Sequence, residues 1–133
     1  MNAEQDTIEA ARQIIIALGL PRGQRNERTA LCLLALLNLT SGKAWADAEN
    51  PLMGITPIMA WARDNYGKAY APNTRETFRR YSMHQLRDAG VVQYNPDQPN
   101  RPVNSPKAVY QIEPAAVALL RTFNTPAWQG HLA

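Results

Sequence analysis

Cysteine is nearly absent from this chain. Cys32, set in TALCLLALL, is the single one among 133 residues, so an internal disulfide is excluded. Its apolar neighbours offer nothing to depress a thiol pKa, which makes it a small core side chain rather than a nucleophile. Histidine is scarce as well: two histidines and one cysteine, scattered along the chain, do not make a zinc site. No glycine-rich phosphate loop of the P-loop or dinucleotide type occurs. No run of eighteen apolar residues is present, and the opening MNAEQDTIEAARQ lacks the basic-then-apolar order of a signal peptide. The expectation is a cytoplasmic protein with no membrane partner.

What the chain does have is a substantial apolar fraction, 45%, which over this length suits one compact domain spanning 1–133. Its net charge of +3 is unevenly placed. Residues 1–62 carry five Lys/Arg against six Asp/Glu, residues 63–107 eight against four, and residues 108–133 one against one. A surface that meets polyanionic backbone, on an otherwise ordinary protein, has this distribution.

Asp6 and Glu9 form a D-x-x-E capping box, which predicts a first helix starting at Asp6 with the apolar stripe Ile8, Ala11, Ile15 and Leu18. Gly19 and Pro21 stop it. A second helix opens near Asn26 and is apolar almost all round, the mark of a central core helix, so the amino-terminal helices occupy 6–38. Residues 40–55 show no clean period and need Trp45, Leu52 and Ile55 to pin them to the core. Thr56-Pro57 opens a third helix with buried Ile58, Trp61 and Ala62, and Gly67 closes it. Asn73 and Glu76 make another capping box, opening a basic helix that Gly90 ends; helices 56–90 then form a helix-turn-helix.

Two short β-rich stretches follow, VVQY at 91–94 and AVYQI at 108–112, with Pro96, Pro99, Pro102 and Pro106 between them. They read as a hairpin with a long stiff tip, a wing over 91–112. Glu113-Pro114 starts a last helix to 123, and NTPAWQGHLA reads as tail or linker. The fold class is therefore mainly α with a β-hairpin wing, a winged helix-turn-helix whose basic helix (73–89) enters the major groove of double-stranded DNA while the Pro-rich wing (95–107) lies along the flanking backbone.

On an ideal helix Phe78, Tyr81, Leu86 and Ala89 gather on the core side. Asn73, Glu76, Thr77, Arg80, His84 and Arg87 then face outward, flanked by Arg79 and Met83. Guanidinium groups match guanine O6 and N7 or a phosphate, and a threonine methyl suits the thymine methyl. Base contacts usually come from the first turns of such a helix, which favours Arg75, Thr77, Arg79 and Arg80 over Arg87. His84 is a phosphate candidate. In the wing, Asn100, Arg101, Asn104, Ser105 and Lys107 are candidates for backbone or minor-groove contact. A hydrolytic reading of Asp97 with Ser105-Pro106-Lys107 is set aside, because divalent-metal phosphodiester chemistry requires clustered oxygen ligands and Asp97 stands alone in a proline-rich loop. The chain itself has no catalytic centre in this reading and needs no cofactor. Two other readings stay open: a transcription regulator of the same architecture, and a winged helix that binds protein.

From about Leu31 to Trp128 the sequence resembles the amino-terminal winged-helix domain of the BsuBI/PstI family of type II restriction endonucleases. AENPLMGITPIM, YAPNTRETFRR and YNPDQPNRPVNSPKAVYQIEP carry the resemblance. It implies a domain that helps dock a larger Mg-dependent, site-specific deoxyribonuclease on its palindromic duplex site, as a homodimer in the full-length enzyme. It also implies that cleavage belongs to a carboxy-terminal domain of the PD-(D/E)xK kind with no counterpart in these 133 residues.

Overall fold

The computed structural model describes residues 3–20, 23, 26–102, 105, 107–123 and 125–128. Helix α1 (Ala3–Ala17) and helix α2 (Glu27–Leu36) pack against one another, and α2 is the hub. Asn26 caps it by accepting the Thr29 N–H at 2.9 Å, and every residue from Thr29 to Leu36 is buried. That follows from a helix apolar on all sides, which must be enclosed on all sides. It touches α1, α3 (Ile55–Tyr66), the basic helix and the second strand.

The first capping box does not form. Helix α1 already runs from Ala3, and Glu9 lies along its outside, accepting from Arg12 at 3.0 Å and Gln13 at 3.1 Å. Helix α3 starts two residues earlier than the Thr56 cap predicts, with Gly54 at the cap position, and ends as expected on left-handed Gly67. The connection before it is less formless than its sequence. It holds a short 3₁₀ turn (Trp45–Asp47), then runs extended so that Met53 and Tyr110 exchange both backbone hydrogen bonds, at 2.9 and 2.8 Å. Trp45 meets Phe123 edge-on and Ile55 is buried, but Leu52 points to solvent instead of pinning the segment.

The basic helix departs most from expectation. Asn73 does not cap it; the chain enters through a 3₁₀ turn (Pro72–Thr74) into α4 (Arg75–Thr77), with no side-chain cap. A π-wound segment (Phe78–Met83) follows, in which the His84 N–H reaches back five residues to the Arg79 carbonyl, and α5 (His84–Asp88) completes the helix. The wider winding changes the phase of the faces. Phe78 and Leu86 are buried as expected, whereas Tyr81 and Ala89 are exposed, and Ser82 and Met83 take the buried places. Ser82 is held there by Thr29 Oγ1 at 2.9 Å and Arg28 Nε at 2.8 Å, both from the α2 side.

Gly90, at φ 78°, turns the chain into an antiparallel hairpin of β1 (Val92–Tyr94) and β2 (Tyr110–Ile112), register Val92 to Ile112 and Tyr94 to Tyr110. Helix α6 (Pro114–Leu120) follows, and Arg121 anchors it by two bonds to the Ala48 carbonyl, at 2.9 and 2.7 Å. The segment read as a tail is attached at least to Trp128, which is buried against Phe123. The chain is thus mainly helical with one two-stranded antiparallel hairpin among the described residues.

Candidate nucleic-acid interface

The side of helix 75–88 turned to the hairpin carries Arg75, Arg79 and Arg87, spaced by four and eight residues. Arg75 donates from Nε to Thr56 Oγ1 at 3.2 Å, tying the start of this helix to the start of α3. The Arg79 guanidinium forks onto the Glu76 carboxylate, with Nε at 3.2 Å from Oε2 and Nη2 bonded to Oε1. The pairing pushes the Glu76 pKa down and the Arg79 pKa up, chiefly through the hydrogen bonds between them. Arg87 sits over the Tyr94 ring, 4.6 Å from its centroid, a cation–π contact.

Tyr94 and Tyr110, cross-strand partners with ring centroids 5.1 Å apart, form the opposing wall. Burial pushes the Tyr110 hydroxyl up to about 12, helped by Tyr94; Arg79, Arg87 and Arg75 pull it the other way. All three arginines therefore act on one tyrosine. Between the helix and the hairpin lies a cleft of ≈ 220 Å³ lined by Arg75, Glu76, Arg79, Tyr94, Ser105 and Tyr110. A second cleft, ≈ 240 Å³, opens on the other side of Arg75, over Thr56, Met59, Arg63, Tyr70 and Pro72.

Farther out, Arg80 has 65% of its side chain exposed and stands 4.0 Å from Glu76. His84 Nε2 lies 3.2 Å from Asp88 Oδ2. Thr77 is half-buried, and Tyr81, at 45% exposure, shares the solvent side with Arg80 and His84. In the hairpin tip, Asn100 and Lys107 are exposed, while Ser105 Oγ accepts the Lys107 N–H at 3.1 Å. Asn104 lies outside the described residues. Arg101 differs from the other candidates: its side chain is 11% exposed and its guanidinium is bonded to Asn95, Asp97 and Gln98 inside the tip.

The structure thus brings Arg75, Arg79 and Arg87 together around the hairpin and leaves Arg80 and His84 outermost. Sequence reasoning missed the tyrosine wall and Tyr81. The first was accessible, since Tyr94 and Tyr110 each lie two residues from the buried Val92 and Ile112, on opposite arms of the hairpin. The second was not, because it depends on the π-wound segment. Asp97, the acidic residue of the tip, is ion-paired with Arg101, which holds its carboxyl below the usual range. Among the described residues no three of His, Cys, Asp and Glu come together to hold a metal ion. Among the described residues, no helix is long and apolar enough to cross a membrane.

Comparison with known proteins sets this geometry in context. The family described as BsuBI/PstI restriction endonuclease HTH domain matches residues 5–133. The chain is 60% identical over 126 residues to the type II restriction enzyme BsuBI of Bacillus subtilis, an alignment covering 95% of the chain and 40% of that enzyme. It is 42% identical over 120 residues to the type II restriction enzyme AplI of Arthrospira platensis, covering 90% of the chain and 36% of that enzyme. The solved structure of SdaI restriction endonuclease superposes with a TM-score of 0.91 at 34% identity, over 98% of this chain and 40% of that one. The chain therefore spans about two fifths of the length of these relatives.

Proposed function

The chain belongs to the BsuBI/PstI restriction endonuclease HTH family, and we propose that it is a winged helix that docks on double-stranded DNA, with helix 75–88 in the major groove and the hairpin as the wing. The convergence of Arg75, Arg79 and Arg87 on the hairpin carries this reading: a row of guanidinium groups beside a cleft suits a run of phosphates. Arg79 enters it partly neutralised by Glu76, and a phosphate would compete for the same fork.

In this arrangement Arg80 and Thr77, both in the first turns of the helix, read base edges, and Arg80 keeps its donors in solvent. Arg75, Arg79, His84, Arg87, Asn100, Asn104 and Lys107 serve the backbone. The domain acts within a Mg-dependent type II site-specific deoxyribonuclease that is cytoplasmic and works as a homodimer, the metal and the cutting step belonging to the part of the enzyme outside this match. The residues described here hold the duplex and set its register.

Fluorescence anisotropy with a labelled duplex tests the reading. If about four to six phosphates are neutralised, log K falls with log salt at a slope of roughly −3.5 to −5.5. Plasmid incubated with this chain and Mg²⁺ stays uncut. Absence of binding at about 50 mM salt, where attraction is least screened, refutes DNA docking and leaves a protein partner for the basic helix.

A further inference from the structure

We propose that Arg101 is a positioning residue of the wing: it holds the tip in one shape, so that other side chains meet the DNA, and makes no phosphate contact of its own. The inference rests on the DNA-docking reading above for its consequence and on geometry alone for its mechanism.

Asn95 leaves β1 with φ 52°, in the left-handed region that asparagine tolerates, and is 2% exposed. Its backbone N–H donates to the Val109 carbonyl at 2.8 Å, and its side-chain Oδ1 accepts the Val109 N–H at 2.9 Å, so it fastens the first residue of the tip to the returning arm. The same Oδ1 accepts Arg101 Nη1 at 2.8 Å. From there the backbone makes two successive turns, Gln98 N–H to the Asn95 carbonyl at 3.1 Å and Arg101 N–H to the Gln98 carbonyl at 3.0 Å. The guanidinium fills the space they enclose. It reaches Asp97 Oδ1 at 3.3 Å and Oδ2 at 3.1 Å, and Gln98 Oε1 at 3.0 Å.

Three consequences follow from this arrangement. The planar fork is required, because one group addresses four acceptor atoms on three side chains in fixed directions, which an ammonium on a flexible stem does not reproduce. The Arg101 charge is matched by Asp97 and turned from solvent, so it adds little to the field a phosphate would feel. A tip already ordered in the free protein loses less entropy on binding, which is where Arg101 raises affinity.

The test uses Arg101→Ala and Arg101→Lys, with amide hydrogen exchange of the free protein and salt-dependent duplex binding. Both variants are expected to speed exchange at the Asn95 and Val109 amides by about tenfold or more while the α2 amides keep parental protection, since only the local opening changes. Both lose about fivefold to tenfold in duplex affinity, with the salt slope of the parent. A slope shallower by about one unit in the Ala variant, restored by Lys, marks a phosphate contact and overturns the proposal. So does parental exchange at Asn95 and Val109 in both variants. If the parent fails to bind any duplex, the docking reading falls, and the exchange measurement alone still decides whether Arg101 braces the tip.

Discussion

Ser82→Ala removes a single oxygen from the middle of the basic helix, and its cost can be worked from the contacts that oxygen makes. Ser82 is fully buried, 2.9 Å from Thr29 Oγ1 and 2.8 Å from Arg28 Nε. Without it the buried Thr29 hydroxyl loses its Ser82 partner, a penalty of about 1–3 kcal/mol. The lost bond to the guanidinium adds less than the roughly 1.5–3 kcal/mol typical of a charged donor, because Arg28 is half-exposed and water can replace the serine. A destabilisation of about 2–3 kcal/mol is expected, read as a lower urea midpoint at constant m in tryptophan-monitored unfolding. Thr29→Val with Ser82→Ala takes away both hydroxyls at once. The double variant should be more stable than the sum of the single losses by about 1 kcal/mol or more, since neither group is then left unpaired. A Ser82→Ala loss under about 0.5 kcal/mol, or strict additivity in the double variant, would refute the view that this buried polar pair holds the π-wound segment against α2.

Arg80→Ala should weaken binding to a preferred duplex by about tenfold to a hundredfold and relax preference at one base pair, as measured by competition between duplexes, while leaving the circular dichroism spectrum unchanged. Alkali should unfold the protein early. Burial raises the Cys32 thiol from 9.0 to about 12, and Tyr66 and Tyr110 from 10.0 to about 12. Between those values the folded state retains protons that the unfolded state releases. The stability these groups contribute is therefore intact below about pH 9 and is lost as pH rises toward 12. Urea midpoints that stay flat across that window would contradict the burial of all three.

Much of the fold was legible because it depends on local pattern. The all-round apolarity of 30–37 marks a helix that must be enclosed, the Asn26 cap is read from residue type alone, and Gly19, Gly67 and Gly90 all adopt the positive φ that ends a helix. The hairpin followed from two β-rich runs and their spacing. What the sequence hid depends on partners far along the chain. The π winding puts Ser82 in the core because Thr29, 53 residues away, is there to meet it, and no helical wheel contains that information. The same winding moved Tyr81 out and Met83 in, so the inward face read from periodicity was half right. At the candidate interface, residue type singles out the arginines as candidates but not how they divide: Arg75, Arg79 and Arg87 turn to the hairpin, Arg80 outward, and Arg101 into the tip.

Tyr110 is paired along both edges, to Tyr94 on one side and to Met53 on the other, and that double clasp divides the hairpin into a part open to change and a part that is not. A strand gripped from both sides cannot slip its register, so residues inserted or deleted beyond the Arg101 brace, between Arg101 and Lys107, alter the span of the tip and leave its base and the basic helix undisturbed. The stretch leading to Met53 has no such freedom. One residue more or fewer there would carry Met53 out of its pairing and swing the entry to α3, where a Cβ on Gly54 would stand 3.1 Å from the Ala108 carbonyl. The outer part of the wing tip is therefore where chain length can change and where a foreign sequence can be grafted, while the segment that closes the sheet tolerates neither.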